Sequence, residues 1–187
     1  IWPDNELAFD QYKIINLPFK QYTSDNQSVL SFTNTNVSLS TDESLNGTKS
    51  AYFNNSKIVS NSKLLITNEK FTIEMFYKPK VESLTGVVSI VSILNSFRLG
   101  TKEGLLSFFN GTTWEDSTYL LDDKKFNHIV IQRTGSTIKL LADGNLVLTT
   151  TYTIPSGLKT ITIGCFNDTE YVNGYVNNLM HYIIASP

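Results

Sequence analysis

Cysteine is nearly missing from this chain. Cys165 is the single one among 187 residues, so no disulfide can close within it. That separates it from the small secreted domains whose cores are completed by bridges. The lone thiol falls in an apolar strand pattern and reads as a small buried hydrophobe. Histidine is almost as scarce, with only His128 and His181. Each sits in a strand pattern, where a structural role is the expectation, and no Cys/His cluster or Ser/His/Asp set supports zinc binding or nucleophilic catalysis. The 15 Lys and Arg residues are thinly spread against 17 Asp and Glu, for a net charge of −2, and only Arg98 and Arg133 are arginines. Without a basic stripe to follow a phosphate backbone, nucleic acid is excluded as a partner. No apolar run approaches the ~18 residues of a spanning helix, so membrane insertion by a helix is not expected. The chain starts Ile1-Trp2-Pro3 with neither Met nor a signal-peptide pattern, and is expected to be a processed or excised part of something longer.

What is present is β-strand. Apolar residues make up 41% and aromatics 12%, enough for a large core and too much for a disordered chain. Residues 1–27 are poorly patterned and read as an entry segment with one edge strand around Ile14–Phe19. Residues 28–187 form the body of a single domain, in which short apolar runs recur about every 8–12 residues between Asn, Ser, Asp and Gly, the pattern of a sandwich. The runs are Val29–Thr33, Val37–Ser40, Ala51–Asn54, Lys63–Thr67, Phe71–Lys78, Val87–Leu94, Phe97–Thr101, Leu105–Phe109 and Tyr119–Leu121. Then follow Asn127–Thr134, Thr137–Ala142, Leu146–Thr151, Thr160–Gly164 and Gly174–Ala185. No segment keeps a helical period over three turns. Asp143-Gly144 between two apolar runs is a hairpin signal, because both positions of such a turn take positive φ. Period two places Phe71, Ile73, Met75, Tyr77, Ile129, Ile131, Ile138, Leu140, Ile161 and Ile163 between two sheets. Val87–Leu94 is apolar without alternation and reads as covered on both sides. The expected fold class is all-β, a two-sheet antiparallel jelly-roll sandwich of roughly a dozen strands.

Four separated blocks, in order, resemble the laminin-G-like, concanavalin A-like jelly rolls: Asn36–Asn54 (NVSLSTDESLNGTKSAYFN), Lys70–Lys80 (KFTIEMFYKPK), Phe126–Leu148 (FNHIVIQRTGSTIKLLADGNLVL) and Ile161–Asn178. The first has the form common in domains appended to bacteriophage tail and other virion proteins. The chain departs from the family pattern at Phe126, Ala142 and Asn55, where the family has Trp, Tyr and Gly. The resemblance implies a lectin-like domain located on a virion or otherwise outside the cell. Its partners would be a host-surface glycan or other virion proteins, with any oligomer formed through the parent protein. Laminin-G-like domains often hold a calcium at the sandwich rim, for which Asp116, Asp122, Asp123 or Asp168 could supply hard oxygen ligands, the alternative being that they are ordinary solvated turn residues; no cofactor is otherwise expected.

Candidate chemistry is limited. Glycoside hydrolysis needs two carboxylates across a sugar, and enzymes of this fold carry them as Glu-x-Asp-x-x-Glu on one strand. Here Glu74 stands alone, Glu115-Asp116 and Asp122-Asp123 are adjacent pairs aimed at opposite faces, and Asp168 and Glu170 share a polar loop. The chain is therefore expected not to be an enzyme. Sugar recognition combines an exposed aromatic with short hydrogen-bonding side chains, and the loop Asn110–Asp116 has that composition: Asn110, Thr112, Trp114 and Asp116 are the candidate ligand-binding residues. For Trp114 two readings stay open, a stacking platform and a rim residue packed on the sandwich edge. Trp2 could equally anchor a neighbouring domain. Six Asn-x-Ser/Thr triplets follow from the abundance of Asn, Ser and Thr and carry no argument. The expected function is a non-catalytic carbohydrate- or surface-binding domain of a phage virion protein, in a tail or capsid appendage, for host adhesion or particle assembly. A glycan-cleaving enzyme of the same fold and a purely structural virion domain are the alternatives.

Overall fold

A computed structural model describes the backbone of residues 13–17, 31–66 and 70–184, and the side chains of residues 31–66 and 70–179. Among the described residues, seventeen strands and one 3-10 turn (Val81–Leu84) make up the regular structure. The first sheet has eight strands. Its order is β14 (Asn145–Thr151), β13 (Thr137–Ala142), β12 (Asn127–Thr134), β7 (Lys70–Pro79), β17 (Asn173–Ile184), β4 (Thr48–Asn54) and β3 (Ser38–Leu45), with β1 (Lys13–Leu17) on the far end of β17. The second has seven: β11 (Trp114–Leu120), β10 (Leu105–Phe109), β9 (Arg98–Lys102), β8 (Val87–Ile93), β16 (Ile161–Ile163), β5 (Lys57–Ser60) and β2 (Phe32–Thr35). A two-stranded ribbon pairs β15 (Gly157–Lys159) with β6 (Leu64–Ile66). Every pairing is antiparallel, and the two large sheets form the sandwich the sequence predicts.

All ten residues placed in the core by alternation are buried, none more than 4% exposed. In β7 every second residue, Phe71 to Pro79, is buried and the others are half-buried. Fully burying one such large apolar side chain contributes about 1.5–3 kcal/mol, so a register slip on this strand would forfeit several at once. The core continues through a series of rings. Phe71 lies 5.8 Å from Phe97, Phe97 lies 5.6 Å from Phe108, and Phe108 lies 5.9 Å from Tyr152 at the sandwich edge.

Strand β8 is covered on both faces, and the cover on its outer face is the segment joining β16 to β17. The backbone N–H of Ser89 donates to the carbonyl of Glu170 (3.0 Å), and the Ser92 hydroxyl donates to the carbonyl of Cys165 (2.9 Å). Cys165 itself is buried, and burial pushes its thiol pKa up.

The strand number exceeds the expected dozen. The additional ones, such as β5 and β15, have only three or four residues, too few for a period to declare itself. The larger correction is β11. The sequence places a strand only from Tyr119 and leaves Asn110–Asp116 as a loop, whereas the strand begins at Trp114. A tight turn over 110–113 returns the chain early, with Asn110 N–H donating to the Thr113 carbonyl (3.1 Å). Because β11 is the last strand of its sheet, its sequence WEDSTYL needs no apolar alternation. The edge strand expected around Ile14–Phe19 is β1, and residues 18 and 19 lie outside the described residues, as do Trp2, the ends of three expected strands at 29–30, 67 and 185, and the His181 side chain.

Turns draw on the abundant asparagine. Asn36, Asn46, Asn55, Asn95, Asn167 and Asn178 all take positive φ, and Asn55 does so where the family pattern has glycine. At the β13–β14 hairpin Asp143 has φ 48° and Gly144 φ 80°. The Asp143 carboxylate accepts from His128 N–H (2.9 Å), Tyr119 Oη (2.6 Å) and Lys125 Nζ (2.6 Å). Burial works to raise its pKa, but Lys125 together with the other two donors holds it below the usual range. Gly144→Val should destabilise the domain by about 1–3 kcal/mol, because a β-branched residue is strained at positive φ; an unchanged thermal melt would contradict a tight turn.

Candidate functional site

The register of the seven-stranded sheet lines up one row of side chains on its outer face. Ser92 of β8 pairs with Arg98 of β9, Arg98 with Phe109 of β10, and Phe109 with Trp114 of β11. Period two sends the neighbours Leu99 and Phe108 into the core, so the row is fixed by the same alternation that builds the sandwich. The segment after β16 then folds over it. Phe166 lies with its ring centre 4.0 Å from the Arg98 guanidinium carbon, while Phe109 lies 3.8 Å and Trp114 5.0 Å away. Trp114 in turn packs on Phe109, ring centres 5.5 Å apart.

This arginine is held as well as stacked. Its Nη1 donates to Glu170 Oε2 at 2.6 Å, and the Ser89 hydroxyl donates to the same oxygen. Glu170 takes φ 51°, and Asn167 and Asp168 just before it take 47° and 57°. Positive φ at residues with a Cβ costs of order 1–3 kcal/mol unless the surroundings enforce it. Here the Glu170 side chain is pinned by Arg98 and Ser89. Asp168 pairs with Lys57 and accepts from Tyr171 Oη (3.2 Å). The Lys57 ammonium holds the Asp168 carboxyl below the usual carboxylate range.

Beside the stacked arginine opens a cavity of about 300 Å³, lined by Arg98, Phe97, Phe109, Phe166, Tyr152 and Ser96 together with Ile93, Asn95 and Gly111. That volume is at the small end of ligand sites, about 300–1,000 Å³. Tyr152 Oη donates to the Ser96 carbonyl at 2.9 Å and fixes one wall. Two polar atoms of lining residues are enclosed without a partner: Arg98 Nε and Ser96 Oγ.

Of the residues picked from sequence, none lines the cavity itself, although Gly111 of the same turn does. Asn110 is committed to the turn. Its Oδ1 accepts from the N–H groups of Thr112 (3.0 Å) and Thr113 (2.9 Å), and its Nδ2 donates to Glu115 Oε1 (2.6 Å). Thr112 is exposed at the tip. Trp114 is half-buried at the head of an edge strand, packed on Phe109. Asp116 accepts from Ser107 Oγ at 2.9 Å and lies 3.5 Å from Lys102 Nζ. The calcium candidates are not brought together: Asp116 is on β11, Asp122 and Asp123 follow it, and Asp168 is across the sheet bound to Lys57. Among the described residues no group of three His, Cys, Asp or Glu side chains is placed to hold a metal ion. His128 stacks on Phe76 (4.7 Å between ring centres), 3.9 Å from Glu74.

Sequence reasoning missed Arg98, Phe109, Phe166 and Tyr152. One signal was available. Arg98 is one of only two arginines and stands in an apolar strand, where an ionic side chain must find a partner.

The chain belongs to the concanavalin A-like lectin/glucanases superfamily, whose family model matches residues 50–185. Among solved structures it resembles domain 4 of AbnA, an extracellular arabinanase from Geobacillus stearothermophilus, in complex with arabinotriose (TM-score 0.74, 15% identity, 93% of this chain and 94% of that one). It also resembles the binding domain of Paraclostridial Mosquitocidal Protein 1 (TM-score 0.73, 12% identity, 95% of this chain and 50% of that one). The botulinum neurotoxin serotype D binding domain is similar at TM-score 0.69 and 16% identity, over 94% of this chain and 49% of that one. The chain thus spans nearly all of the arabinanase domain and about half of each toxin domain, and at these identities the likeness is one of fold. No curated protein matches it in sequence.

Proposed function

We propose that this domain is a non-catalytic carbohydrate-binding module of a phage virion protein, in a tail or capsid appendage outside the cell, serving adhesion to a host-surface glycan or contacts within the particle. The observation that carries the binding reading is the row Trp114–Phe109–Arg98, capped by Phe166, at the mouth of a cavity. Aromatic walls bury the C–H faces of a sugar ring, and polar groups between them read its hydroxyls. The arabinotriose complex of the similar arabinanase domain supports a glycan as ligand. The virion setting is supported by the form of Asn36–Asn54. A non-catalytic role is supported by what the loop carboxylates do: Glu170 is bound to Arg98 and Asp168 to Lys57, so neither is free to act on a glycosidic bond.

Thr112 and Asp116 flank Trp114 as rim contacts, while Asn110 holds the loop in shape. Trp114→Ala should weaken glycan binding about tenfold or more, roughly the loss of one aromatic contact and its buried area. It should lower stability only modestly, since Trp114 packs on the outer face of an edge strand and not between the sheets. A glycan array with circular dichroism on both proteins checks this. A folded variant that binds like the parent would remove Trp114 from the site, and turnover of any bound glycan would favour the enzyme.

A further inference from the structure

The stacked arginine points to a ligand class. Its guanidinium faces are closed by Phe109 at 3.8 Å and Phe166 at 4.0 Å, so a partner can meet it only in its plane. Glu170 takes Nη1 with a single oxygen. Nη1 lies on the opposite side of the guanidinium from the Nε–H, so the two-pronged edge formed by Nε and Nη2 has no acceptor among the described residues. Nε is enclosed without a partner, in a residue only 7% exposed, and the hydroxyl of Ser96, 6% exposed and two residues along the same wall, is likewise unpartnered. An enclosed donor left unmade is costly, and the Nε–H can only donate. The missing partner is therefore an acceptor with two oxygens in one plane. A carboxylate matches such an arginine edge bidentately, and charge-assisted bonds of this kind are roughly twice as strong as neutral ones. A second cation stands at the cavity: Lys159 Nζ lies 3.5 Å from the carbonyl of Asn95, which lines it. Among the lining residues Arg98 is the charged one.

We propose that the cavity is the subsite for one sugar residue bearing a carboxylate, whose oxygens take Nε and Nη2 of Arg98 while Phe109, Phe166 and Tyr152 pack on the ring. Ser96 Oγ donates to the same group. This rests on the glycan-binding reading above and adds its charge class.

The test titrates the domain with oligogalacturonate, oligoglucuronate and sialyllactose, each against its methyl ester, which keeps the rings and removes the charge. Binding is followed by calorimetry and by the Arg98 Nε–H resonance. At least one acid should bind ten times more tightly than its ester or better, and should shift the Nε–H signal downfield while the ester does not. Arg98→Lys, which keeps the charge and loses the fork, should abolish that preference. If Arg98→Lys does not fold, the acid–ester comparison and the Nε–H shift on the parent protein decide alone. Equal affinity for every acid and its ester, or an unmoved Nε–H, overturns the proposal. Neutral glycans that still bind in a Trp114-dependent way would then leave the broader reading intact, whereas binding to no glycan at all sinks both.

Discussion

Gly100→Ala is expected to cost about 3 kcal/mol or more, at the upper end of what overpacking does, and so to lower the melting temperature by roughly 6–12 °C for a domain of this size. The reason is space. A Cβ built at Gly100 would come 2.0 Å from the carbonyl oxygen of Val88 and about 3 Å from two further backbone atoms of β8. The β8–β9 pairing slips by one residue between Ser89 and Val91, and that bulge brings the β8 backbone onto Gly100. No side chain is available to swing away, so the strands themselves must part. Gly47→Ala is the control. Its Cβ would meet nothing within 4 Å, although its φ of 74° adds some strain, and about 1 kcal/mol is expected. Calorimetric melts of both variants check the pair. Equal, small effects would mean that β8 can slide. Because Arg98 lies two residues from Gly100 on the same strand, the alanine variant should lose ligand binding along with stability.

Asn127→Ala should cost about 3 kcal/mol, read as a lower denaturation midpoint in urea with an unchanged slope. Asn127 is fully buried. Its Nδ2 donates to the carbonyls of Tyr77 (3.1 Å), Asp122 (2.9 Å) and Lys125 (3.2 Å), and its Oδ1 accepts from Asp122 N–H (3.1 Å) and lies 3.0 Å from Tyr119 Oη. One side chain thus ties the turn after β11 to β7 in the opposite sheet. Alanine leaves these groups without partners where water cannot replace them. Asn127→Asp should be no better, because it turns two donors into acceptors facing three carbonyl oxygens. A midpoint within error of the parent in Asn127→Ala would show that the turn repairs itself with water.

The two residues behind these predictions were differently visible in the sequence. Gly100 and Asn127 both stand at expected strand ends, and nothing local marks one as a spacer and the other as a hub. Their roles depend on contacts with β8 and β7, which are respectively 12 and 50 residues away along the chain in the bonds and clashes named above. The hairpin at Asp143-Gly144, by contrast, was legible because its cause is local, the cost of positive φ. The early start of β11 was hidden for the opposite reason. An edge strand has solvent on one side and so carries no apolar alternation to betray it.

By itself, the sequence determined the sandwich. Alternation at β7, β12, β13 and β16 chose which face of each strand avoids water, the turns were written in Asn, Asp and Gly, and both depend on neighbours a few residues apart. It also named Trp114 as an aromatic beside a polar turn. Only the tertiary structure decided what Trp114 stands next to. Arg98, Phe109, Phe166 and Glu170 come from β9, β10 and the segment before β17, and meet because sheet register and one folded-over loop bring them to the same face. The energy that holds such a site, stacking and a charge-assisted bond between residues some 70 positions apart, leaves no period or spacing in the chain. It exists only after the core has placed the strands.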